Sequence, residues 1–156
     1  MDRNTALARI ERARSLCSEA CYMVALQRRR LQATEPEDGR FIMRRWGDWQ
    51  FLIVALRRLR QAARIAAFSP TVTAAIATFD RSLLGLHTMR NVGEHVEDYA
   101  QDRGRDATGD RKQLQVGTFG ADELAWLGHR LDADAAMAAA EELFAAVRLA
   151  QASEDS

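Results

Sequence analysis

The chain has 156 residues, 28% of them charged and 47% in the broad apolar class, which suits one domain with a substantial buried core. Its 22 basic and 22 acidic side chains cancel, which excludes a globally basic nucleic-acid binder and an acidic disordered chain. Nine Gly and two Pro are too few for a turn-rich β-sandwich, while 28 Ala favour helices.

The start, Met1 to Arg14, is charged throughout and carries no apolar segment of the secretory kind. The longest apolar runs, Phe51 to Leu56 and Ala62 to Phe68, are too short or interrupted to cross a bilayer, so a cytoplasmic protein with no membrane partner is expected. From Thr5 to Gln32, apolar side chains recur at Leu7, Ile10, Cys17, Cys21, Val24 and Leu31, the spacing of a long amphipathic helix. Arg28, Arg29 and Arg30 close it, where cations favour a helix C-terminus. Cys17 and Cys21, the only cysteines, lie four apart on one helix face. Their parallel Cβ vectors suit no disulfide, and no further metal ligands are evident, so they read as small core residues.

Thr34 to Gly39 forms a turn. A second helix is expected from about Arg40 to Phe68, with Ile42, Trp46, Trp49, Ile53, Leu56 and Ala63 on one side and Leu52 and Leu59 widening the stripe. Ser69-Pro70 is a restart signal, an N-cap followed by proline in the first turn, and the third helix should run from Pro70 to about Ala100. Residues 101 to 112 are charged and contain Gly104 and Gly109, which predicts a loop. Over 113 to 127, Leu114 with Val116 and Leu124 with Trp126 alternate around Gly117 and Gly120, the pattern of a small β-hairpin. Asp132 then caps a last helix to about Gln151, with Met137, Ala140, Phe144 and Val147 inward. The expected fold is all-α: a single domain over 1–156, an antiparallel bundle of four main helices with a small hairpin before the last.

The pattern breaks late in the third helix. Val72, Ile76, Phe79, Leu83 and Leu86 form an apolar stripe whose next positions are Arg90 and Glu94, with His87 beside them. On a straight helix His87, Arg90, Asn91, Glu94, His95 and Asp98 fall within an arc of roughly 140°, opposite Met89, Val92 and Val96. Either the helix leaves the core there or polar groups line an inner cleft. A solvated helix end with an Arg90–Glu94 ion pair would account for the pattern without any function. A fixed cation, an amide and two imidazoles are equally a set suited to phosphate chemistry.

Arg90-Asn91-Val92-Gly93-Glu94-His95, an arginine, a polar residue and a histidine five positions after the arginine, resembles the motif of the HEPN superfamily of small all-helical domains. The likeness in architecture spans about residues 5 to 151, and the match of residues covers 90 to 95. The resemblance implies metal-independent RNA cleavage at a homodimer interface that joins two copies of the motif, with no cofactor. His95 would be the general acid or base, Arg90 would stabilise charge on the phosphate, and Asn91 would orient the imidazole or bind the phosphate. The product would be a 2′,3′-cyclic phosphate. It also implies a toxin of a toxin–antitoxin or phage-defence pair, with an antitoxin protein as partner. In the toxin subgroup silenced by nucleotide transfer to a tyrosine, that tyrosine follows the histidine by two residues. Glu97 stands there in this chain and Tyr99 is the nearest tyrosine, so that scheme does not carry over. His87, Glu94 and Tyr99 remain as accessory candidates.

Trp46 and Trp49 could stack on bases, but at helical spacing beside Ile42 and Ile53 they read as core. Arg57, Arg58, Arg60 and Arg64 form a basic band that could track an RNA backbone or simply coat a solvated helix face. No partner is evident for His129, and there is no P-loop, dinucleotide fingerprint, HExxH or nucleophile elbow. The competing functions are a non-catalytic interaction bundle, with the polar cluster as a register at a dimer seam, and a nucleotide-binding bundle. The zero net charge hides an asymmetry: residues 1–78 hold 14 basic and 7 acidic side chains, and residues 79–156 hold 8 and 15. Binding of RNA through one face is therefore open, as is complementary self-association.

Overall fold

A computed structural model describes residues 2–33, 43–101, 103, 114 and 116–155; the expected turn at 34–39 and nearly all of the expected loop at 101–112 lie outside them. The first helix, α1 (Arg3–Gln32), buries Ala6, Ile10, Ala13, Cys17, Ala20, Val24, Gln27 and Leu31, alternating steps of four and three. That is the 3.5-residue seam of a bundle helix, and the small side chains on it let neighbouring helices approach closely. Cys17 and Cys21 are free thiols, the first fully buried and the second half-buried, as their spacing predicts.

The second helix, α2 (Arg44–Ala63), runs into a single 3-10 turn (Arg64–Ala66), and the last, α6, spans Ala133–Asp155. Helix α1 lies between α2 and α6 and packs against both. It is antiparallel to each. Its C-terminal Arg30 pairs with Asp48 near the start of α2, while its N-terminal Arg9 lies over the Phe68 ring beyond the end of α2. On the other side Arg28 donates from Nε to Asp134 at 2.7 Å and from Nη2 to Asp122 at 3.0 Å, and Cys21 touches the Ala140 carbonyl. The terminal arginines of α1 thus make specific ion pairs in addition to favouring the helix dipole. Asp48 is 1% exposed, which a carboxylate tolerates only because its two oxygens accept charge-assisted bonds from Arg30 at 2.7 Å and Arg44 at 3.2 Å. Arg44 also donates to the Arg30 and Ala33 carbonyls, closing the end of α1.

The expected continuous third helix is instead three: α3 (Pro70–Ser82), α4 (Leu86–Glu94) and α5 (Val96–Ala100). The first break falls at Leu83–Gly85, where Gly85 takes φ +91°, a left-handed backbone that a side chain would strain. His129 packs directly onto it: a Cβ on Gly85 would lie 2.3 Å from the His129 ring. The second break is at His95, with φ −125° and ψ 33°. Ser69 holds the N-cap position of α3 with Pro70 in the first turn, but its side chain makes no capping hydrogen bond. Four main helices therefore become six among the described residues.

The hairpin expected over 113–127 is a three-stranded antiparallel sheet: β1 (Thr118–Phe119), β2 (Glu123–Trp126) and β3 (His129–Asp132). Phe119 pairs with Leu124 and Trp126 with His129, and Val116 lies outside the strands. Leu124, Trp126 and Leu131 are buried against the helices. Trp49, fully buried, donates from its indole to the Gly120 carbonyl at 2.9 Å, and Trp46 meets Trp126 edge-to-face at 5.0 Å. Both tryptophans of α2 are thus used in seating the sheet. Asp132 caps α6 by accepting from the Ala135 amide at 2.7 Å. Among the described residues no helix is long and apolar enough to cross a membrane.

Candidate functional site

Breaking the third helix decides which side chains of α4 face the core. The apolar stripe Val72, Ile76, Phe79, Leu83, Leu86 is buried as expected. Its continuation is not Arg90 and Glu94 but Met89 and Val92, both fully buried, while Arg90 is carried to the rim with its side chain 22% exposed. Helix α4 packs on α2, and Gly93 permits the approach, since a Cβ there would sit 3.2 Å from Gln50 Oε1.

On this rim Arg90, Asn91, His87 and Glu94 form one network. Arg90 Nη2 pairs with Glu94 one turn on, and Nη1 donates to Asn91 Oδ1 at 2.9 Å. Because that bond claims the amide oxygen of Asn91, its nitrogen is the atom facing His87 Nδ1, at 3.4 Å. An amide nitrogen can only donate, so Nδ1 accepts and a neutral His87 carries its proton on Nε2. The sequence places Asn91 beside His95, whereas the structure turns it to His87.

His95 stands apart from this network. It is exposed at the junction of α4 and α5, where its amide donates to the Asn91 carbonyl and its carbonyl accepts from Asp98 and Tyr99. Among the described residues its ring has no hydrogen-bond partner. The single helical arc expected for His87, Arg90, Asn91, Glu94, His95 and Asp98 therefore does not exist, because the helix stops before His95. Tyr99 is buried in the core cluster.

The basic band of α2 divides in the structure. Arg57, Arg60 and Arg64 line one cavity of about 500 Å³ with Asp80, the Leu83–Leu86 junction and His87. Arg58, 100° further round the helix, lines a separate groove with Leu16, Ala20 and Met23 of α1. Arg60 is held by Asp80 through two bonds of 2.5 and 2.7 Å, and that carboxylate raises its pKa. Arg57 has no ion-pair partner among the described residues, and its Nε is buried without a hydrogen bond. Burial, then Arg90, Arg60 and Arg64, push its pKa down, with Glu94 opposing them. The Nε of Arg90 is likewise buried and unbonded.

The arrangement is a basic cleft that starts at the Arg90 network and opens along α2, and its chemistry is that of an oxyanion site. Sequence periodicity missed Asp80, Leu84 and Gly85 as parts of it; the adjacent Leu83-Leu84-Gly85, out of step with the stripe, was the available signal. Among the described residues no three His, Cys, Asp or Glu side chains gather as a metal site. Set beside family models, curated proteins and solved structures, the chain matches none, so the cleft is read from its own residues alone.

Proposed function

We propose that the chain is a metal-independent endoribonuclease of the HEPN kind. The observation that supports this reading best is Arg57. It is a cation without an ion-pair partner among the described residues, set beside the motif's Arg90 and opening on the cleft that holds Arg60, Arg64 and His87. An unmatched charge in a half-dry seam costs stability, and an anionic substrate is the natural reason to keep it.

In the proposed reaction the scissile phosphate lies against Arg90, in exchange for part of the Glu94 contact. The ribose 2′-hydroxyl loses its proton to a base, its oxygen bonds to phosphorus, and the bond to the 5′-oxygen breaks as that oxygen gains a proton. The product ends are a 2′,3′-cyclic phosphate and a 5′-hydroxyl. His95, whose exposed ring has no hydrogen-bond partner among the described residues, would carry one of the two protons, and a second copy of the chain would supply the other group in a homodimer. A toxin role with an antitoxin partner in the cytoplasm belongs to the same proposal.

Purified protein incubated with mixed RNA in EDTA tests it. Cleavage leaving cyclic phosphate ends is expected, and His95→Ala should reduce it by about 10²- to 10⁴-fold with the fold intact. No cleavage by the wild type, or equal cleavage by the variant, overturns the assignment. A second reading has its own observation: Glu94 and Asn91 already engage Arg90 within α4. That favours a non-catalytic interaction bundle, and it is the reading left standing if RNA survives.

A further inference from the structure

We propose that the cleft between α2, the α3–α4 junction and the first turn of α4 binds a phosphate ester of a nucleotide, at a point separate from His95. The cavity holds three arginines, Arg57, Arg60 and Arg64, against one carboxylate, Asp80. Arg60 and Asp80 satisfy each other in a two-bond pair, so Arg57 and Arg64 are left unmatched. Neither has an ion-pair partner among the described residues. Guanidinium groups are planar donors whose paired N–H groups fit two oxygens of a phosphate, and they keep their charge even when crowded.

The wall opposite these arginines adds donors. Gly85 holds the N-cap of α4 and has no side chain with which to cap it. The Leu86 amide bonds to the Leu83 carbonyl and the Met89 amide to that of Gly85. Between them, the amides of His87 and Thr88 donate to nothing among the described residues. Gly85, Leu86 and His87 line the cavity, so the start of α4 offers the His87 amide and ring to the same anion that the arginines attract, with the Thr88 amide one residue on. At the lip Leu84 is 72% exposed, an apolar surface that suits the ribose or base of an ester better than a bare ion.

The location fixes the role. From Leu86 to Glu94 the helix rises about 12 Å, and the motif histidine lies beyond that end. A phosphate in this cleft is therefore not the one that His95 would act upon. It is a neighbouring phosphate of the same strand, or the terminal phosphate of a nucleotide. The RNA-strand identity rests on the ribonuclease reading; the phosphate site itself does not.

Amide chemical shifts of the isotope-labelled full chain decide the matter. Titration with inorganic phosphate in low salt should move the His87 and Thr88 amides to saturation. Arg57→Met should weaken that binding by about tenfold or more, the loss of one charged hydrogen-bonding partner. Arg12→Met, which removes an exposed arginine on α1, should leave it unchanged. AMP and a 2′-O-methylated oligoribonucleotide without terminal phosphates then separate the sources. Tighter binding of the oligomer assigns a strand phosphate, and tighter binding of AMP a terminal one. The absence of saturation, or equal saturation in Arg57→Met, overturns the site. If phosphate binds here and RNA is not cleaved, the ribonuclease reading fails and the site stands; if RNA is cleaved and these amides do not move, only the site falls.

Discussion

Replacing Arg57 with methionine should make the protein more stable while weakening its response to phosphate. In the structure Arg57 lines the cavity with a head group that pairs with nothing among the described residues. Its Nε is a buried donor left unbonded, a defect worth about 1–3 kcal/mol where it is complete. Burial and the neighbouring Arg90, Arg60 and Arg64 all disfavour its charge, and only Glu94 offsets them. Methionine keeps the stem, removes the donor and the charge, and has nearly the same helix propensity. After allowing for lost solvation of the exposed part of the head group, a gain of about 1 kcal/mol is expected. For a chain of this length that raises Tm by roughly 2–4 °C. The wild type should gain from bound phosphate by mass action, about 2.7 kcal/mol at a hundred times Kd, and a variant that binds tenfold more weakly only about 1.4 kcal/mol. Thermal and urea unfolding with and without phosphate would then show the two proteins exchanging rank. If Arg57→Met is less stable than the wild type by more than about 1 kcal/mol in phosphate-free buffer, Arg57 is a structural residue and the reasoning fails. Equal stabilisation of both proteins by phosphate refutes it as well.

Gly85→Ala should destabilise the fold by about 2–4 kcal/mol in urea unfolding: about 1–2 for the left-handed backbone and the rest for the contact with His129. Adding His129→Ala should recover only a fraction of the second part, because the His129 Cβ, 2.5 Å from the added methyl, remains, and full recovery would show that the backbone at Gly85 is unstrained. Burial pushes the Cys17 thiol up to about 12 and Cys21 to about 11, from a usual value near 9. A raised thiol pKa stabilises the fold fully below the unfolded value, and that stability is lost as pH rises from about 9 through the folded values. The fall should be steeper by up to about 1.4 kcal/mol per pH unit for Cys17, and less for the half-exposed Cys21. The urea midpoint measured from pH 8 to 10.5 should therefore fall less in the Cys17→Ala/Cys21→Ala double variant, and parallel curves would contradict the assigned burial.

The long helices were legible because their faces repeat without interruption, as the seam from Ala6 to Leu31 in α1 shows. The third was misread because burial continues through the break. Leu83 and Leu86 stay in the core although the chain leaves and re-enters the helix between them, so spacing alone carries no mark of the interruption. Strand β3 was hidden for a different reason. Its turn uses positive φ at Leu127 and Gly128, 53° and 75°, and leucine stands where asparagine would have announced such a hairpin. The strand itself has a single buried apolar residue, Leu131. The candidate site inherits both hidden features. Four arginines close together on α2 and the turn that ends it look alike in sequence, and which of them face a cleft depends on where α4 crosses. That crossing is set at Gly85, which His129 of β3 covers. A straight helix would have pointed Arg90 into the core in line with Phe79 and Leu83, at a desolvation cost that only a full set of partners could offset. The break lets Met89 and Val92 take that place, brings Arg90 to the rim beside Arg57, and turns the first turn of α4 and His87 toward the α2 arginines. The glycine that interrupts the helical pattern is thus the residue that opens the cleft, and the fold and the proposed chemistry depend on the same backbone angle.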